Sequence, residues 1–416
     1  MTILISGAGI AGLTLGLTLH QIGVPFRIFE RVRKLEPLGV GINLQPHAVR
    51  ELTEMGLAPM LDQVGLRTQD YGFYTRTGQQ IWSEPRGAAA GYNWPQFSAQ
   101  RGQLQMALAD ALIQRAGPDC IAPGHKLKTF QTTSSGVTAN FEAPDGPKAV
   151  EGNLLIGADG IHSAVRAQCY PNEGPPVWGG AIMWRATTQA RPFLSGASMI
   201  LAGNDTQRFV AYPITAPDPQ TGLATLNWIA EKRVDPSTQA SKEDWNRAVS
   251  IEAFRGDFEG WRFDWLDIPA LIDGAETVYE YPMVDREPVA RWTFGNATLI
   301  GDAAHATYPV GSSGASQAIV DARILGAAIK TLGPCDAAAQ RFEAQVRPKA
   351  NAVTLANRAQ GGPDGIMQIA EDRCGGDFTK LDTALPRPER AEHAARYKAL
   401  AGFSVAEMNA RPSILT

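Results

Sequence analysis

The chain has 416 residues, of which 44% are hydrophobic and 19% are charged. This length exceeds the roughly 250 to 300 residues at which a single hydrophobic core stops growing, so we expect more than one lobe. The composition excludes a disordered, collagenous or coiled-coil chain, and the net charge of −4 (38 Lys and Arg against 42 Asp and Glu) gives no support to nucleic-acid binding.

An apolar run at residues 2–19 opens the chain. No basic residue precedes it and four glycines interrupt it, which argues against a signal peptide or a membrane span. Residues 2–6 instead predict a strand, the glycines that follow a turn, residues 10–19 a helix, and residues 26–29 a second strand closed by Glu30. This order predicts a βαβ unit of a parallel sheet.

The pattern of apolar and polar residues changes twice along the rest of the chain. Helices are predicted from Pro46 to about Met55 and over residues 102–116, and a buried strand over residues 152–156. Residues 179–283 form short runs of alternating apolar and polar side chains between turns, which indicates antiparallel sheet, and only residues 242–254 look helical there. A buried strand at 297–300 and a long small-residue helix at 313–332 return to the first pattern.

These patterns predict an α/β protein with three parts. A Rossmann-like lobe (βαβ, mixed sheet) is assembled from both ends of the chain, a mainly antiparallel lobe is inserted into it, and the C-terminal part is helical. We assign residues 1–75, 100–175 and 286–360 to the first lobe, residues 76–99 and 176–285 to the second, and residues 361–416 to the C-terminal part.

The glycines after the first strand form a GxGxxG motif at residues 7–12. Gly7 permits a tight turn, Gly9 lets a pyrophosphate approach backbone N–H groups at the positive end of the helix, and Gly12 allows close helix packing. Glu30 can accept hydrogen bonds from ribose hydroxyls. Since a ribose-binding Glu disfavours a 2′-phosphate, the motif predicts the adenosine half of FAD or of NAD.

Two later segments carry further polar groups. GDAAH at residues 301–305 follows a strand and precedes a glycine-rich helix start at residues 311–315, which can face the other end of an extended cofactor, with Asp302 placed to accept from a sugar-alcohol hydroxyl. Residues 159–166 place Asp, Ser and Arg at fixed offsets after a strand. Either segment alone could be structural, because an Asp after Gly is often only a helix cap.

The three motifs together resemble those of the FAD-dependent aromatic hydroxylases, the single-component flavoprotein monooxygenases of the p-hydroxybenzoate and salicylate hydroxylase type. They are GxGxxG at residues 7–12, DGxxSxxR at residues 159–166 and GDAAHxxxP at residues 301–309. Segments at residues 37–43, 82–87, 183–185 and 281–286 are similar to the phenazine-carboxylate hydroxylase branch. The likeness covers about residues 1 to 358, and the tail diverges.

The resemblance implies a bound FAD and a transient NADH or NADPH. Reduced flavin would add O₂ to form a hydroperoxide that attacks an electron-rich ring. Decarboxylation of the substrate could accompany this attack. The cofactor-binding residues that it implies fall into six groups: Gly7, Gly9, Ile10, Ala11 and Gly12 at the pyrophosphate; Glu30 and Arg31 at the adenosine ribose; Arg101 and Asp302 at the ribityl-phosphate stretch; Val40 and Leu127 lining the cofactor; Gly311, Ser312 and Ser313 at the flavin pyrimidine edge; Asp159 and Arg166 serving both FAD and nicotinamide. Ser313 departs from the phenazine branch, which often has Asn there.

The antiparallel lobe is expected to supply the substrate pocket, since ligands favour domain interfaces. Candidates for a flat, aromatic-lined slot are Trp184, Tyr212, Trp228 and Met283 in its strands, with Pro309 and Val310 on the flavin side. Each of these could equally be an ordinary core residue. Arg185 or Arg208 could meet a substrate carboxylate, although a structural arginine is the favoured alternative, and no general base can be named.

The sequence therefore favours a flavin monooxygenase of an aromatic or N-heteroaromatic compound. The first alternative is an FAD-dependent oxidase, dehydrogenase or reductase of a hydrophobic small molecule without oxygen insertion, and the second is a non-catalytic dinucleotide-binding protein. A flavin halogenase is disfavoured because no WxWxIP sequence is present. Catalysis is expected from the flavin itself, with Pro309 lining its face.

No metal site or disulfide framework is expected. The four cysteines lie far apart without a CxxC pair, and His47, His162 and His305 have no metal-ligand spacing. We expect a cytoplasmic monomer or homodimer whose partners are a small aromatic substrate, O₂ and NAD(P)H, with no nucleic acid and no membrane.

Overall fold

The computed structural model describes residues 2–235, 247–359, 362–400, 402 and 404–416. Its strands are β1 Ile3–Ser6, β2 Phe26–Glu30, β3 Gly41–Leu44, β4 Gly65–Thr68, β5 Asp70–Tyr74, β6 Gln80–Pro85, β7 Gln96–Gln100, β8 Ile121–Pro123, β9 Lys126–Thr132, β10 Val137–Ala143, β11 Gly146–Gly152, β12 Leu154–Gly157, β13 Val177–Ala190, β14 Ser198–Gly203, β15 Gln207–Pro213, β16 Ala224–Arg233, β17 Ala248–Val249, β18 Arg262–Phe263, β19 Leu266–Asp267, β20 Val278–Asp285 and β21 Ala297–Leu299.

Its α-helices are α1 Ile10–Gln21, α2 Pro46–Glu54, α3 Ala58–Val64, α4 Arg101–Ala116, α5 Ala164–Cys169, α6 Ile268–Asp273, α7 Asp302–His305, α8 Gly314–Leu332, α9 Asp336–Arg358, α10 Gly365–Cys374, α11 Leu381–Ala384, α12 Arg387–Leu400 and α13 Val405–Ala410. Short 3₁₀ turns lie at Gly87–Ala90, Pro118–Cys120, Ile251–Ala253, Arg255–Phe258, Val310–Ser312 and Phe378–Lys380. Among the described residues, no helix is both long enough and apolar enough to cross a bilayer.

A parallel sheet in the order β21-β12-β1-β2-β8 forms the centre of the first lobe. Strand β1 pairs in parallel with β2 on one side and with β12 on the other, and β21 pairs with β12. Residues from the start, the middle and the end of the first lobe thus share one sheet, which confirms the predicted βαβ unit and the assembly of this lobe from distant segments. Its strands are almost wholly buried, as expected for a parallel sheet covered on both faces.

The second sheet is larger and mixed, in the order β17-β20-β13-β16-β15-β14-β5-β6. Its pairs are antiparallel except for β14 and β5, so the mainly antiparallel lobe is confirmed. The division of the chain into lobes stays a prediction, and the pairing of β5 places residues 70–74 with this sheet rather than with the first lobe.

One helix prediction in this region is wrong over the part that the structure describes. Residues 242–246 lie outside the described residues. Residues 247–254 form the short strand β17 and a 3₁₀ turn rather than an α-helix. The pairing of Ala248 and Val249 with β20 explains this, because an edge strand takes up the backbone groups that a helix would bond internally.

The large sheet has two faces with different surroundings, because successive side chains of a strand point to opposite sides. We call one the far face, which carries Trp184, Phe209 and Trp228 and packs against α6. We call the other the near face, which carries Arg185, Tyr212, Asn227, Tyr281 and Met283. The near face contacts the first lobe at Gly41 and Tyr308, and α10 packs on its β5, β14 and β15 end.

Candidate cofactor and substrate site

The three sequence motifs lie side by side at the carboxyl edge of the parallel sheet. Gly7 follows β1, Asp159 follows β12 and Gly301 follows β21. Backbone hydrogen bonds join them in turn: the Ala158 N–H donates to the Ser6 carbonyl at 2.9 Å, and the Ile300 N–H to the Gly157 carbonyl at 3.0 Å. The carboxyl edge of an open α/β sheet is where such folds bind their ligands.

The first glycine turn leaves an uncapped helix end. Gly9 is the N-cap of α1 with extended backbone and no side-chain cap, and no atom lies within 4 Å of a Cβ built on it. At Gly12, in contrast, a Cβ would lie 2.0 Å from the Gly7 carbonyl oxygen, so only glycine fits. The N–H groups of the first turn, which contains Ile10 and Ala11, face open space where an anion can bind.

Glu30 is hydrogen-bonded to the backbone of this turn. Its Oε2 accepts a hydrogen bond from the Ala8 N–H at 2.7 Å, and its Oε1 accepts one from the Val32 N–H at 3.0 Å. The carboxylate is therefore fixed at the end of β2, beside the glycine turn. Arg31 next to it is exposed. Ribose binding by these two residues stays a prediction.

The second glycine turn precedes α8 and is backed by a C-terminal helix. Gly311 has φ +75°, and a Cβ there would lie 2.4 Å from the Tyr397 hydroxyl oxygen. Ser312 also has positive φ, which is uncommon for a residue with a side chain. The Tyr397 hydroxyl hydrogen-bonds the side chain of Ser313, the buried residue just before α8. The backbone of this turn is thus set by α12, far along the chain.

The two helix ends converge. A Cβ built on Gly301, which has φ +57°, would lie 3.1 Å from the Ala11 Cβ and 3.3 Å from the Ala318 Cβ. Ala11 is in the first turn of α1 and Ala318 is in the second turn of α8. The start of both helices therefore meets the GDAAH segment at one point of the sheet edge, and the binding of one extended cofactor by both helix ends stays a prediction.

The DGxxSxxR motif makes structural contacts in this structure. Ser163 is the N-cap of α5, and Asp159 accepts from the Ser163 hydroxyl and from the Ala164 N–H at 2.8 Å. Burial raises the pKa of Asp159. Arg166 is 1% exposed and pairs with Glu173, and its Nη1 donates to the carbonyls of residues 303 and 304 at 3.1 and 2.7 Å. This motif is therefore hydrogen-bonded to the GDAAH segment. Direct binding of FAD or nicotinamide by Asp159 and Arg166 stays a prediction.

A buried His–Asp pair is hydrogen-bonded to the same GDAAH segment. His305 Nε2 lies 2.6 Å from Asp321 Oδ2, which also accepts from the Gly301 N–H at 3.0 Å. Burial opposes protonation of His305, but the charge and hydrogen bond of Asp321 outweigh it, so the pKa of His305 is raised. Asp302, in contrast, is exposed at the start of α7.

The remaining cofactor candidates lie on three different elements. Val40 is buried just before β3, and its carbonyl accepts from the Arg101 N–H at 3.0 Å, while the Arg101 side chain is exposed at the start of α4. Leu127 is 5% exposed on β9 and packs in the main hydrophobic core. Val40 and Arg101 are therefore neighbours, and the cofactor contacts of all three stay predictions.

The substrate candidates are divided between the two faces of the large sheet. Met283 packs with Tyr308 and Val310, beside the exposed Pro309. Tyr212 also lies on the near face, directly opposite Asn227 on the neighbouring strand. Met283, Tyr308 and Val310 therefore come together next to the second glycine turn, whereas Tyr212 packs in the neighbouring cluster with α10.

Trp184 and Trp228 do not join them. Both belong to the core of the far face, where Trp184 stacks on Phe254 with ring centroids 4.6 Å apart and Trp228 is fully buried. The pocket role predicted for these two tryptophans is wrong, because strand alternation turns them away from the first lobe. Both serve as core residues instead.

The two candidate arginines also separate. Arg208 is paired with Asp205 and Asp364. Burial opposes its charge, but these carboxylates and Glu231 outweigh it and raise its pKa. Arg208 is therefore a structural cation that joins the large sheet to the C-terminal part. Arg185 donates to the Gly41 carbonyl at 3.2 Å and lies over the Tyr281 ring at 5.6 Å.

Four site residues were missed by the sequence reasoning: Asn227, Tyr281, Tyr308 and Tyr397. The Oδ1 of Asn227 accepts from the Gly41 N–H at 2.6 Å, which joins the near face to the segment after Val40. A polar Asn within the otherwise apolar run LNWIA was an available signal. No local signal marks Tyr397, since α12 reaches the second glycine turn only through tertiary packing.

The three histidines have unrelated surroundings. Burial, followed by the charge of Arg411, lowers the pKa of His47 to about 3, His162 is exposed, and His305 pairs with Asp321. Within the described ranges, no group of three or more His, Cys, Asp or Glu side chains could hold a metal ion.

Comparison with known proteins gives one consistent result. Residues 1–344 match the family model described as FAD binding domain. The chain is 40% identical over 361 residues to phenazine 1,6-dicarboxylic acid hydroxylase PhzS of Lysobacter antibioticus, covering 86% of this chain and 89% of that protein. It is 27% identical to 6-hydroxynicotinate 3-monooxygenase of Pseudomonas fluorescens, covering 80% and 83%.

Solved structures share the fold. The Klebsiella pneumoniae HpxO complex with FAD and uric acid superposes with a TM-score of 0.74 at 22% identity, covering 98% of this chain and 96% of that one. A salicylate hydroxylase substrate complex gives a TM-score of 0.74 at 18% identity, covering 98% and 97%.

Proposed function

The chain belongs to the FAD-binding-domain family of flavin-dependent aromatic hydroxylases, and we propose that it inserts one atom of O₂ into a planar aromatic or N-heteroaromatic compound with NADH or NADPH as reductant. The observation that carries the proposal is the meeting of the starts of α1 and α8 at Gly301, opposite the near face of the large sheet. Relatives that are named as hydroxylases of a phenazine dicarboxylic acid and of 6-hydroxynicotinate support the substrate class.

The residues at the sheet edge fit FAD. The uncapped first turn of α1, with open space over Gly9, would hold the pyrophosphate, and the fixed Glu30 carboxylate lies where a ribose hydroxyl could donate. Gly311 to Ser313 would offer backbone N–H groups to the flavin end. When bound, FAD would take electrons from the nicotinamide and activate O₂ for transfer to the ring.

The chain's own side chains provide a dry surface beside this cofactor site. Met183, Met283 and Tyr308 are less than a tenth exposed and pack with the half-buried Val310, next to the second glycine turn. Excluding water there protects a reactive oxygen species from unproductive decay. Burial raises the pKa of Tyr212 to about 12, so this phenol stays protonated and can position a substrate but cannot act as a base.

We extend the proposal to the partners. NAD(P)H would visit the site transiently, because the chain has one GxGxxG, and decarboxylation could accompany oxygen insertion where a carboxylate occupies the attacked ring carbon. A monomer or homodimer in the cytoplasm, without nucleic-acid or membrane partners, completes the proposal.

The test uses the purified holoenzyme and a panel of phenazine-1,6-dicarboxylate, salicylate and 6-hydroxynicotinate. We expect FAD to copurify, and at least one compound to stimulate NAD(P)H oxidation with matched O₂ uptake. With ¹⁸O₂, the product should carry one labelled oxygen. Anaerobic NAD(P)H consumption in step with product, or a product without label, would contradict the proposal and favour a dehydrogenase or reductase.

A further inference from the structure

Buried arginines in this protein are paired with carboxylates. Six arginines among the described residues are less than a tenth exposed, and each forms an ion pair with a carboxylate. The pairs are Arg50 with Glu54, Arg86 with Glu84, Arg166 with Glu173, Arg208 with Asp205, Arg323 with Glu51 and Arg390 with Asp382. This agrees with the rule that a charge is removed from water only when an opposite charge compensates it.

Arg185 on the near face, which is half-buried, has no such partner in the described part of the chain. Among the residues that the structure describes, it forms no ion pair with a carboxylate, and its Nε is buried without a hydrogen-bond partner. Its contacts are the Gly41 carbonyl oxygen and the Tyr281 ring. The nearest acidic residue along the paired strand, Glu280, lies opposite Trp184 and accepts from its indole on the far face.

The surroundings of Arg185 favour an anion. Burial lowers its pKa; Tyr212 and Tyr281 oppose this shift, and the charge of the nearby Arg101 adds to it. The residues next to it that face the same way, Met183 and Tyr281, belong to the cluster with Tyr308 and Val310 beside the second glycine turn. The unpaired guanidinium therefore lies at the edge of the dry surface where the ring of a substrate would lie.

We propose that Arg185 binds the carboxylate of an aromatic acid substrate and so determines that acids are preferred over their neutral amides. This inference rests on the proposed function, since it concerns the same site. The planar guanidinium suits a carboxylate because its Nε and one Nη can donate together to the two oxygens. The bound acid would complete the ion pair that the fold leaves open.

The experiment compares three holoenzymes: wild type, Arg185→Met and Arg185→Lys, with Arg191→Met as the matched control. Arg191 is exposed beyond the end of the same strand and loses the same charge on substitution. Dissociation constants are measured by titrating the bound flavin's absorbance with phenazine-1,6-dicarboxylate, salicylate and 6-hydroxynicotinate, and with the amide of each acid. Thermal unfolding of each variant is measured in parallel.

We expect Arg185→Met to weaken acid binding by about 30-fold to 5000-fold, the range for removing one partner of a buried charge pair. Amide binding should change less than about threefold. Arg185→Lys should recover part of the loss, and Arg191→Met should match the wild type. Because removing an unpaired buried charge relieves a desolvation penalty, the melting temperature of Arg185→Met should stay the same or rise.

Three outcomes would overturn the inference. Equal weakening of acids and amides together with a lower melting temperature would make Arg185 a structural residue. Loss of FAD with unchanged preference for acids would assign the cation to the cofactor. A wild type that hydroxylates only neutral compounds would refute carboxylate binding while the monooxygenase activity stands, whereas no oxygen insertion into any compound would refute the proposed function itself.

Discussion

The two faces of the large sheet are built from adjacent residues of the same strands, yet they differ in how completely their polar groups are satisfied. On the far face, the indole N–H of Trp184 donates to Glu280 and that of Trp228 to Thr188, both at 3.0 Å. On the near face, the neighbours Arg185 and Asn227 each keep a buried nitrogen without a hydrogen-bond partner among the described residues. Since folded proteins rarely leave such groups unpaired, the far face serves the fold, whereas the near face keeps polar groups that a ligand could bind.

Of the substitutions that test this difference between the two faces, Trp228→Ala is expected to have the largest effect. Removing a fully buried indole leaves a cavity among Phe209 and Phe254, which should lower the free energy of unfolding by about 3–5 kcal/mol. Urea unfolding of the holoenzyme measures this loss. Trp228→Phe, which keeps most of the volume, should lose much less.

The molecules of Trp228→Ala that remain folded should retain the wild-type preference for acids over amides. A stability loss below about 1 kcal/mol, well short of the range for a fully buried ring, or a changed preference, would mean that the far face also contributes to the site.

Asn227→Ala tests the near face at the adjacent position. It leaves the buried Gly41 N–H without its acceptor, which should lower the free energy of unfolding by about 1–3 kcal/mol. The KM for the substrate should rise as well, since Asn227 lies directly opposite Tyr212 on the near face. Steady-state kinetics and urea unfolding are the measurements.

Asn296→Ala is the matched control for this substitution. Asn296 is a buried Asn that donates to the Thr133 carbonyl in the first lobe, so its loss should affect stability without changing KM. A rise in KM with both variants would indicate general destabilisation rather than a role of the near face.

Tyr397→Phe examines the border between the near face and the C-terminal part. Losing the hydroxyl that holds Ser313 should lower the free energy of unfolding by about 1 kcal/mol and weaken FAD retention. The FAD dissociation constant, from recovery of flavin fluorescence on dilution, tests this expectation. Tyr170→Phe, which loses a hydroxyl bonded to the Arg291 carbonyl, should leave FAD binding unchanged.

The smallest expected effect is that of Tyr212→Phe on the pH profile. Because burial raises the pKa of Tyr212 to about 12, this group stays neutral below pH 10. The pH dependence of kcat/KM between pH 6 and about 10 should therefore be the same in Tyr212→Phe and wild type, although kcat/KM itself should fall by about an order of magnitude at most. An inflection that disappears with the substitution would show that the phenol titrates and acts as a base.

Local patterns predicted much of the fold because they report on immediate neighbours. The glycine turn of residues 7–12, the strand ending at Glu30 and the helix at 313–332 all follow from residue spacing. The edge strand Ala248–Val249 was missed because its partner, β20, lies about thirty residues further along the chain.

The sequence by itself determined the cofactor class and the order of motifs, since short-range glycine geometry and helix ends specify where a dinucleotide can bind. Only the tertiary structure decided which residues meet at the site. A shift of one position along a strand moves a side chain to the other face, so Trp184 and Arg185 have opposite roles despite being neighbours. The placement of the half-buried Arg185 without a carboxylate partner among the described residues is likewise a property of packed strands, which no local pattern encodes.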